Sequence, residues 1–430
     1  MSAPDLSLLG TRRFAPLFVV QLLGAFNDNL LKFALLFLAN FGLYAAAPGK
    51  AAMLATIATG LFILPYFLFS ALAGQIADAC DKRRLIQAVK AAEIIIMLIA
   101  LVGFRLESIP LLLLALFLMG MHSTLFGPVK YSILPQHLAA HELMGGTGVI
   151  EAGTFLGILG GQLLAGMIAP WQSGLVACGL AVLGFIASLA VPPAPPPVPG
   201  LRIDRNPWRG TRQILSAARR RQRAWLAILG ISWFFSVGAV LLSQFGPLVS
   251  GVIGGRPAVA TLFLLVFSVG VALGSVLVNT LLEGKVSARY VPAAALVLAG
   301  SMIDLWWSTS GYARPTETIG IAAFLRVPAN WRILLDLAGI AVAGGLFVVP
   351  LYATLQTESP PAERSQTIAA NNIVNAIMTV AMVGVVTAML ARGIGIPSVI
   401  GALGAMTLPV ALIARRLTPD TRFGRRSRGS

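Results

Sequence analysis

Four polar residues interrupt an apolar stretch near the N-terminus, QLLGAFNDNLLKFALLF at 21–37. They are Asn27, Asp28, Asn29 and Lys32. An ionisable side chain at bilayer depth costs about 2.5–3.5 kcal/mol on insertion scales, so it is a functional candidate by default. Asp28 and Lys32 are one helical turn apart and can pair within the helix. Such a pair would only neutralise the charge of Lys32. Neutralising one lysine does not require three consecutive polar residues. The segment is therefore predicted to form part of a binding site.

A second set of polar residues lies in two later apolar stretches. Glu151 occupies one of them, and Asn371, Asn372 and Asn375 occupy the region related to it by a weak internal repeat. Asn371 and Asn375 share a helix face, which predicts a hydrogen-bonding surface opposite Glu151. Hydrogen bonds that merely join helices are the alternative interpretation.

The remaining candidate residues favour structural roles. Glu93, Asp304 and Asp336 are expected nearer the ends of their apolar stretches, where a side chain can reach water. His137 and His141 have an i,i+4 spacing, but no further Cys or His joins them to complete a zinc site. No metal is therefore predicted.

The motifs of enzymes are missing from the sequence. None of the three histidines begins an H-x-x-x-x-D pair. The two Gly-Lys pairs are followed by Ala51 and Val286, so neither completes the phosphate-binding G-x-x-x-x-G-K-[ST] motif. Cys80 and Cys178 are too few for a disulfide framework. We expect a chain that is not an enzyme and that holds no cofactor.

The elements that must position these residues are membrane helices. Of 430 residues, 57% are hydrophobic and 11% charged, and the mean hydropathy is +0.84. A soluble protein carries about 25% charged residues, so this composition excludes an ordinary soluble enzyme. Counting stretches long enough for a bilayer predicts an all-α polytopic membrane protein with twelve transmembrane helices. Their approximate limits are 14–42, 52–77, 84–104, 109–131, 143–169, 172–191, 224–250, 257–282, 287–308, 332–354, 366–390 and 395–414.

The positive charge has a topological explanation. The net charge of +16 would suggest nucleic acid in a soluble protein. Here most of the 32 Lys and Arg residues, Lys90 and Lys130 among them, fall on the side of the N-terminus, which the positive-inside rule assigns to the cytoplasm. Both termini are therefore predicted to be cytoplasmic, no nucleic-acid partner is expected, and the basic juxtamembrane segments should contact anionic membrane lipids.

A proline-rich segment divides the chain into two halves. Residues 192–200 read PPAPPPVPG, which cannot be helical. We predict a bundle of six helices over 1–191, a cytoplasmic linker over 192–223 that is first Pro-rich and then basic, a second bundle over 224–416 and a basic cytoplasmic tail over 417–430.

The connection between the second and third stretches carries a family signature. GQIADACDKRR at 74–84 resembles the G-x-x-x-D-x-x-[GD]-[RK]-[RK]-[RK] loop of major facilitator transporters. The resemblance implies a conformational latch on the cytoplasmic face. Gly74 would allow close helix approach, Asp78 would cap or pair across the bundle, and the cationic partner would be supplied by Lys82, Arg83 and Arg84.

Three further segments narrow the resemblance. FNDNLLKFAL at 26–35, FGPVKYSILPQHL at 126–138 and SWFFSVGAVLL at 232–242 are similar to the lysophospholipid transporter family. The same domain forms the N-terminal part of bifunctional acyltransferase/acyl-ACP synthetase proteins. The resemblance implies a major facilitator fold, and a monomer is expected. It implies a flippase of the bacterial inner membrane that moves lysophospholipid from the outer to the inner leaflet for reacylation.

By this resemblance the polar residues of the first helix would line the path of the headgroup. Lateral entry of the acyl chain and alternating access are expected, and a cytoplasmic acyltransferase is left open as a partner. The alternative function is a proton-coupled major facilitator antiporter for drugs or metabolites, in which Asp28 or Glu151 would titrate.

Overall fold

The computed structural model of the chain describes residues 5–44, 48–204 and 206–417. Within these ranges twelve helices are long and apolar enough to cross a membrane, as predicted. We number them α1 to α12, and in chain order they are Ala15–Phe37, Pro48–Ala79, Lys82–Arg105, Ile109–Ser132, Leu143–Met167, Pro170–Leu189, Gln222–Pro247, Pro257–Leu281, Val291–Ser310, Pro328–Glu358, Arg364–Ala391 and Ile396–Ala414. Large apolar side chains such as Leu335 and Leu412 are exposed on the outside, as expected for a surface that meets lipid.

The helices form two bundles of six with the same packing pattern. In the first bundle α1 packs on α5, α2 on α4 and α3 on α6. The second bundle repeats these pairs as α7 with α11, α8 with α10 and α9 with α12. The likeness extends to the π-helical segments Leu38–Leu43 and Leu248–Ile253, which continue α1 and α7. This repetition is the parallel internal repeat that the weak sequence similarity of the halves indicated.

Small residues set the distance between the helices that hold the polar groups. A Cβ at Gly157 of α5 would lie 2.7 Å from the Leu22 carbonyl oxygen of α1. A Cβ at Gly270 of α8 would lie 2.6 Å from the Ala341 Cβ of α10. Glycine at these positions lets the backbones approach closely, as small residues do in membrane helix pairs.

The linker between the bundles crosses their boundary. Its helix Pro207–Arg220 begins after Asn206, whose side chain accepts hydrogen bonds from the backbone N–H groups of Trp208 and Arg209. The buried face, with Ile214 and Ala218, packs on α2 of the first bundle and on α11 of the second. The outer face carries exposed arginines. Arg205 of the linker and residues 418–430 of the predicted tail lie outside the described residues.

Candidate functional site

A cavity of about 370 Å³ lies between the two bundles. Its wall is apolar over most of its area, with aromatic rings from α2, α4 and α7. Polar residues of both bundles also line it: Gln21, Asp28, Asn29, Lys32, His122, Ser123, Lys130, Thr154, Asn372, Asn375 and Thr379. Five of the eight predicted binding residues are in this set, namely Asp28, Asn29, Lys32, Asn372 and Asn375.

Asp28 of α1 and Ser123 of α4 are hydrogen-bonded on the first-bundle side of the cavity. The Asp28 carboxylate accepts hydrogen bonds from Ser123 Oγ of α4, at 3.1 Å to Oδ1 and 2.9 Å to Oδ2. Among the described residues no ion pair within 4.0 Å joins Asp28 to Lys32, so the intrahelical pair that their spacing allows is not formed in this conformation. Both side chains instead line the cavity.

Lys130 is a cavity residue that the sequence analysis placed on the cytoplasmic side. It is the third residue from the end of α4, and the positive-inside rule treats such a lysine as a topological marker. In the structure the side chain turns inward, with Nζ 4.6 Å from the centre of the Tyr131 ring. The cavity is therefore lined by two lysines and one aspartate.

Asn27 lies on another face of α1 and does not line the cavity. Consecutive residues of a helix point about 100° apart, so Asn27 faces α3 and α6 while Asp28 faces the cavity. Its Nδ2 donates to Glu93 Oε1 at 2.8 Å and to the Ala177 carbonyl at 3.2 Å. The expectation that Glu93 lies near a helix end is wrong, because it is fully buried in the middle of α3.

Glu93 is the centre of a buried cluster of charged and polar groups. Lys90 Nζ lies 2.5 Å from Glu93 Oε2, and His122 Nε2 lies 3.3 Å from the same oxygen. Lys90 reaches this position past Gly24, where a Cβ would lie 3.0 Å from Nζ. The assignment of Lys90 to the cytoplasmic surface is therefore wrong. The i,i+3 spacing of Lys90 and Glu93 within an apolar stretch was the sequence signal that could have identified the pair.

Glu151 and Asn371 are buried below the cavity rather than in its wall. The Tyr131 hydroxyl donates to Glu151 Oε1, and the Tyr131 ring stacks on Tyr352 of the second bundle with centroids 4.1 Å apart. Both rings line the cavity and so form its floor. Among the described residues, Glu151 Oε2 has no hydrogen-bond partner. The predicted polar surface across the bundles from Glu151 thus includes a tyrosine that the sequence analysis missed.

Gly74 and Asp78 contact α11 of the other bundle. The Asp78 carboxylate accepts from the backbone N–H groups of Ser365 at 3.1 Å and Gln366 at 3.2 Å, and from Gln366 Nε2 at 3.3 Å. A Cβ at Gly74 would lie 2.8 Å from both the Ala369 Cβ and the Gln366 Cα. A carboxylate at the first N–H groups of a helix satisfies donors that have no partner within the helix, and it opposes the positive end of the helix dipole.

The predicted cationic partners have other contacts. Lys82 is buried, and among the described residues no salt bridge within 4.0 Å joins Asp78 to Lys82, Arg83 or Arg84. Arg83 Nη2 donates to the Leu189 carbonyl in its own bundle, and the Arg84 backbone N–H donates to Asp81. Asp78 therefore holds the helix N-terminus of α11 rather than a basic side chain.

Further contacts between the bundles lie at the same end of the molecule, which we call the latch end. Gln356 Nε2 donates to Thr147 Oγ1 at 3.3 Å, and Ser365 Oγ donates to Ser132 Oγ at 2.9 Å. All of these residues lie at the ends of their helices on the side of Asp78. The bundles are therefore closed at the latch end, below the Tyr131–Tyr352 floor.

Among the described residues, no group of three or more His, Cys, Asp or Glu side chains is placed so that it could hold a metal ion. The site consists instead of a cavity with both signs of charge, closed below by contacts between the two bundles. Such a cavity can bind a ligand that carries both charges beside an apolar part.

Comparisons with known proteins agree with this architecture. Two relatives named lysophospholipid transporter LplT come from Serratia proteamaculans (strain 568) and Escherichia coli (strain SE11). The first is 27% identical over 362 residues, or 82% of this chain and 82% of the relative. The second is 27% identical over 419 residues, or 93% of this chain and 94% of the relative. The resemblance inferred from the sequence segments is confirmed.

Solved structures share the fold at low identity. The human organic anion transporter MFSD10 has a TM-score of 0.75 at 14% identity, over 94% of this chain and 99% of its own. The Escherichia coli fucose:proton symporter FucP has a TM-score of 0.65 at 14% identity, over 94% and 98%. The model of the Major Facilitator Superfamily matches residues 17–383. With two repeated six-helix bundles around one cavity and a match over most of its length, the chain belongs to the major facilitator superfamily.

Proposed function

We propose that this membrane protein is a lysophospholipid transporter. The observation that carries the proposal is the cavity in which the charged residues Asp28, Lys32 and Lys130 lie in a wall that is apolar over most of its area. A lysophospholipid has a phosphate, a head that is often zwitterionic, and one acyl chain. The names of the relatives support this substrate class.

The charges of the cavity match a zwitterionic head. Lys32 and Lys130 would bind the phosphate, because ammonium groups form strong charge-assisted hydrogen bonds to phosphate oxygens. Asp28 would accept hydrogen bonds from a primary ammonium, as it does from Ser123. Asn372 and Asn375 of the second bundle would complete the polar rim, and the acyl chain would lie along the apolar wall and leave the cavity sideways between helices.

The transport cycle follows from the closed latch end. With both termini in the cytoplasm of a bacterium, the latch end faces the cytoplasm and the cavity is reached from the outer leaflet of the inner membrane. Breaking the contacts of Gly74 and Asp78 with α11 would let the bundles rock and open the cavity to the inner leaflet. There the lysophospholipid would be released for reacylation, and the protein would act as a monomer without enzymatic activity of its own.

Transport of lysophosphatidylethanolamine into proteoliposomes tests the proposal. Lys130→Gln should lower the initial rate about 10–150-fold, since a hydrogen bond to a charged group is worth roughly 1.5–3 kcal/mol. Lys285→Gln is the matched control, because it removes the same charge from an exposed lysine paired to Glu283 in the connection after α8. Asp28→Asn should lower the rate more for the ethanolamine head than for choline, which has no N–H donor.

Two results would contradict the proposal. One is a rate that Lys130→Gln and Lys285→Gln lower equally. The other is transport that ignores lysophospholipid but follows a pH gradient with a drug or metabolite, which would establish the antiporter instead.

A further inference from the structure

Glu93 of α3 lies behind the wall of the cavity and contacts the two helices that carry the Asp28–Ser123 hydrogen bond. It is fully buried, and its Oε1 accepts from Asn27 Nδ2 of α1 at 2.8 Å. Its Oε2 lies 3.3 Å from His122 Nε2 of α4. One carboxylate thus joins a polar side chain of α1 to a polar side chain of α4.

Each of these contacts involves the sequence neighbour of a residue in the Asp28–Ser123 hydrogen bond. Asn27 precedes Asp28, and His122 precedes Ser123. Consecutive side chains of a helix point about 100° apart, so in each helix one residue contacts Glu93 and the next reaches the hydrogen bond at the cavity. The two residues of a pair are joined through one peptide bond within a regular helix, and a shift of Asn27 therefore also moves Asp28.

Direct packing contributes little to the separation of α1 and α4. These two helices contact each other over a small area, whereas α3 packs along α4, and α6 packs along both α1 and α3. Asn27 also donates to the Ala177 carbonyl of α6 at 3.2 Å. Polar side chains that bond across membrane helices hold the helices together. The position of α1 relative to α4 therefore depends on the contacts made by Glu93.

Lys90 allows Glu93 to remain a carboxylate in an apolar environment. Its Nζ lies 2.5 Å from Glu93 Oε2 and 5.7 Å from the centre of the Phe126 ring, which lines the cavity. A Cβ at Gly24 of α1 would lie 3.0 Å from Nζ, so the glycine makes room for the ammonium group. A carboxylate can accept several hydrogen bonds at once, and a cation in contact offsets the cost of its burial.

We propose that Glu93 is a positioning residue for the headgroup site. By holding Asn27 and His122, it fixes the Asp28–Ser123 geometry and so the direction in which the Asp28 carboxylate meets a primary ammonium. The inference rests on the proposed function, because it concerns the head of the lysophospholipid. It extends that function by assigning part of the headgroup selection to a residue behind the cavity wall.

A purely structural ion pair leads to a different expectation. Loss of stability lowers the amount of folded transporter and acts on every substrate alike. Loss of positioning acts through Asp28, and therefore on heads that donate hydrogen bonds. Lysophosphatidylethanolamine has N–H donors on its head and lysophosphatidylcholine has none, so a comparison of the two substrates separates a positioning role from a structural one.

Transport of the two lysophospholipids into proteoliposomes, measured over a range of concentrations, tests the inference. The variant Lys90→Met/Glu93→Leu removes the cluster without leaving a buried charge. Its KM for lysophosphatidylethanolamine should rise about tenfold, or about 1.4 kcal/mol, which is the scale of one hydrogen bond. Its KM for lysophosphatidylcholine should change less than about twofold, and kcat per folded protein should fall equally for both substrates. Asn27→Leu keeps the ion pair and should give the same pattern, which serves if the double variant does not fold.

A double-mutant cycle identifies the residue through which Glu93 acts. Asp28→Asn already removes the charged partner of the ammonium, so adding Lys90→Met/Glu93→Leu should not raise KM for lysophosphatidylethanolamine further. An additive rise would overturn the positioning role. Glu142→Gln is the matched control, because it removes the carboxylate of an ion pair with Arg13 in the same bundle and should leave both KM values unchanged.

The outcomes separate the inference from the proposed function. A wild-type protein that transports neither lysophospholipid would overturn both. Wild-type transport together with variants whose KM values change equally for the two heads would overturn the positioning role alone. So would variants in which only kcat falls, since that result indicates a structural ion pair.

Discussion

The contact between Asp78 and α11 gives a quantitative prediction for Asp78→Asn. The substitution keeps one acceptor oxygen but removes the negative charge and places an amide group near two backbone N–H donors. A charge at a helix terminus is worth about 0.3–1 kcal/mol, and up to about 2 kcal/mol where it is partly buried. Asp78 is fully buried, so we expect a loss of about 1–2 kcal/mol from the closed state. That corresponds to a shift of about 5–30-fold towards the open latch end.

Spin labels on cysteines introduced at the exposed residues Ala140 of the first bundle and Lys285 of the second measure this shift, with Cys80 and Cys178 replaced by serine. The distance between the labels is short when the latch end is closed and long when it is open, and so gives the open-to-closed ratio. Asp81→Asn is the matched control, because Asp81 lies three residues further on and accepts from the Arg83 backbone N–H at 2.8 Å within its own bundle. Asn is about as good an N-cap residue as Asp, so the cap is kept, and Asp81→Asn should leave both the thermal stability and the open-to-closed ratio near their wild-type values. A ratio that stays at the wild-type value in Asp78→Asn, or that shifts equally in Asp81→Asn, would refute the latch.

Two further predictions concern stability, measured by thermal unfolding in detergent. Lys90→Met should destabilise the fold by about 3–5 kcal/mol, because it leaves Glu93 buried without its cation. The double variant Lys90→Met/Glu93→Leu should be less destabilised than the single variant. A double variant that is less stable than the single one would contradict the buried ion pair. The hydrogen bonds from Arg13 lower the pKa of the Glu142 carboxyl group. The contact with Arg13 therefore stabilises the fold fully at pH values above the ordinary pKa of a glutamate, and this stabilisation is lost as the pH falls through the lowered pKa. Glu142→Gln should therefore lower the melting temperature at neutral pH but not at strongly acidic pH, and a difference that persists in acid would show that the charge is not its cause.

The membrane helices could be predicted closely because hydropathy depends on local sequence alone. Each of the twelve apolar stretches contains a helix, although α10 begins at Pro328 and ends at Glu358, several residues outside its predicted limits of 332–354. The last turns of such a helix extend beyond the apolar core, where composition no longer marks them. The π-helical continuations of α1 and α7 had no sequence signal of this kind.

The binding residues could be predicted only in part, because a residue's depth follows from its position but its direction depends on neighbouring helices. Asn27 and Asp28 are adjacent in the chain, yet one contacts Glu93 and the other lines the cavity. Lys130 was misplaced for the same reason. Its distance from the end of α4 allowed either direction, and only the position of the second bundle shows that the side chain turns inward.

The distribution of charge between the bundles has a mechanistic consequence. The charges that line the cavity, Asp28, Lys32 and Lys130, belong to the first bundle, whereas the second bundle contributes Asn372, Asn375 and Tyr352. Its own intramembrane pair, Asp304 with Arg332, is exposed near the helix ends opposite the latch. In the proposed transport cycle the charges that would hold a headgroup would therefore move together and keep their mutual geometry. The surroundings of Glu151 would change in that cycle, because Tyr131, which donates to its carboxyl group, stacks on Tyr352 of the other bundle.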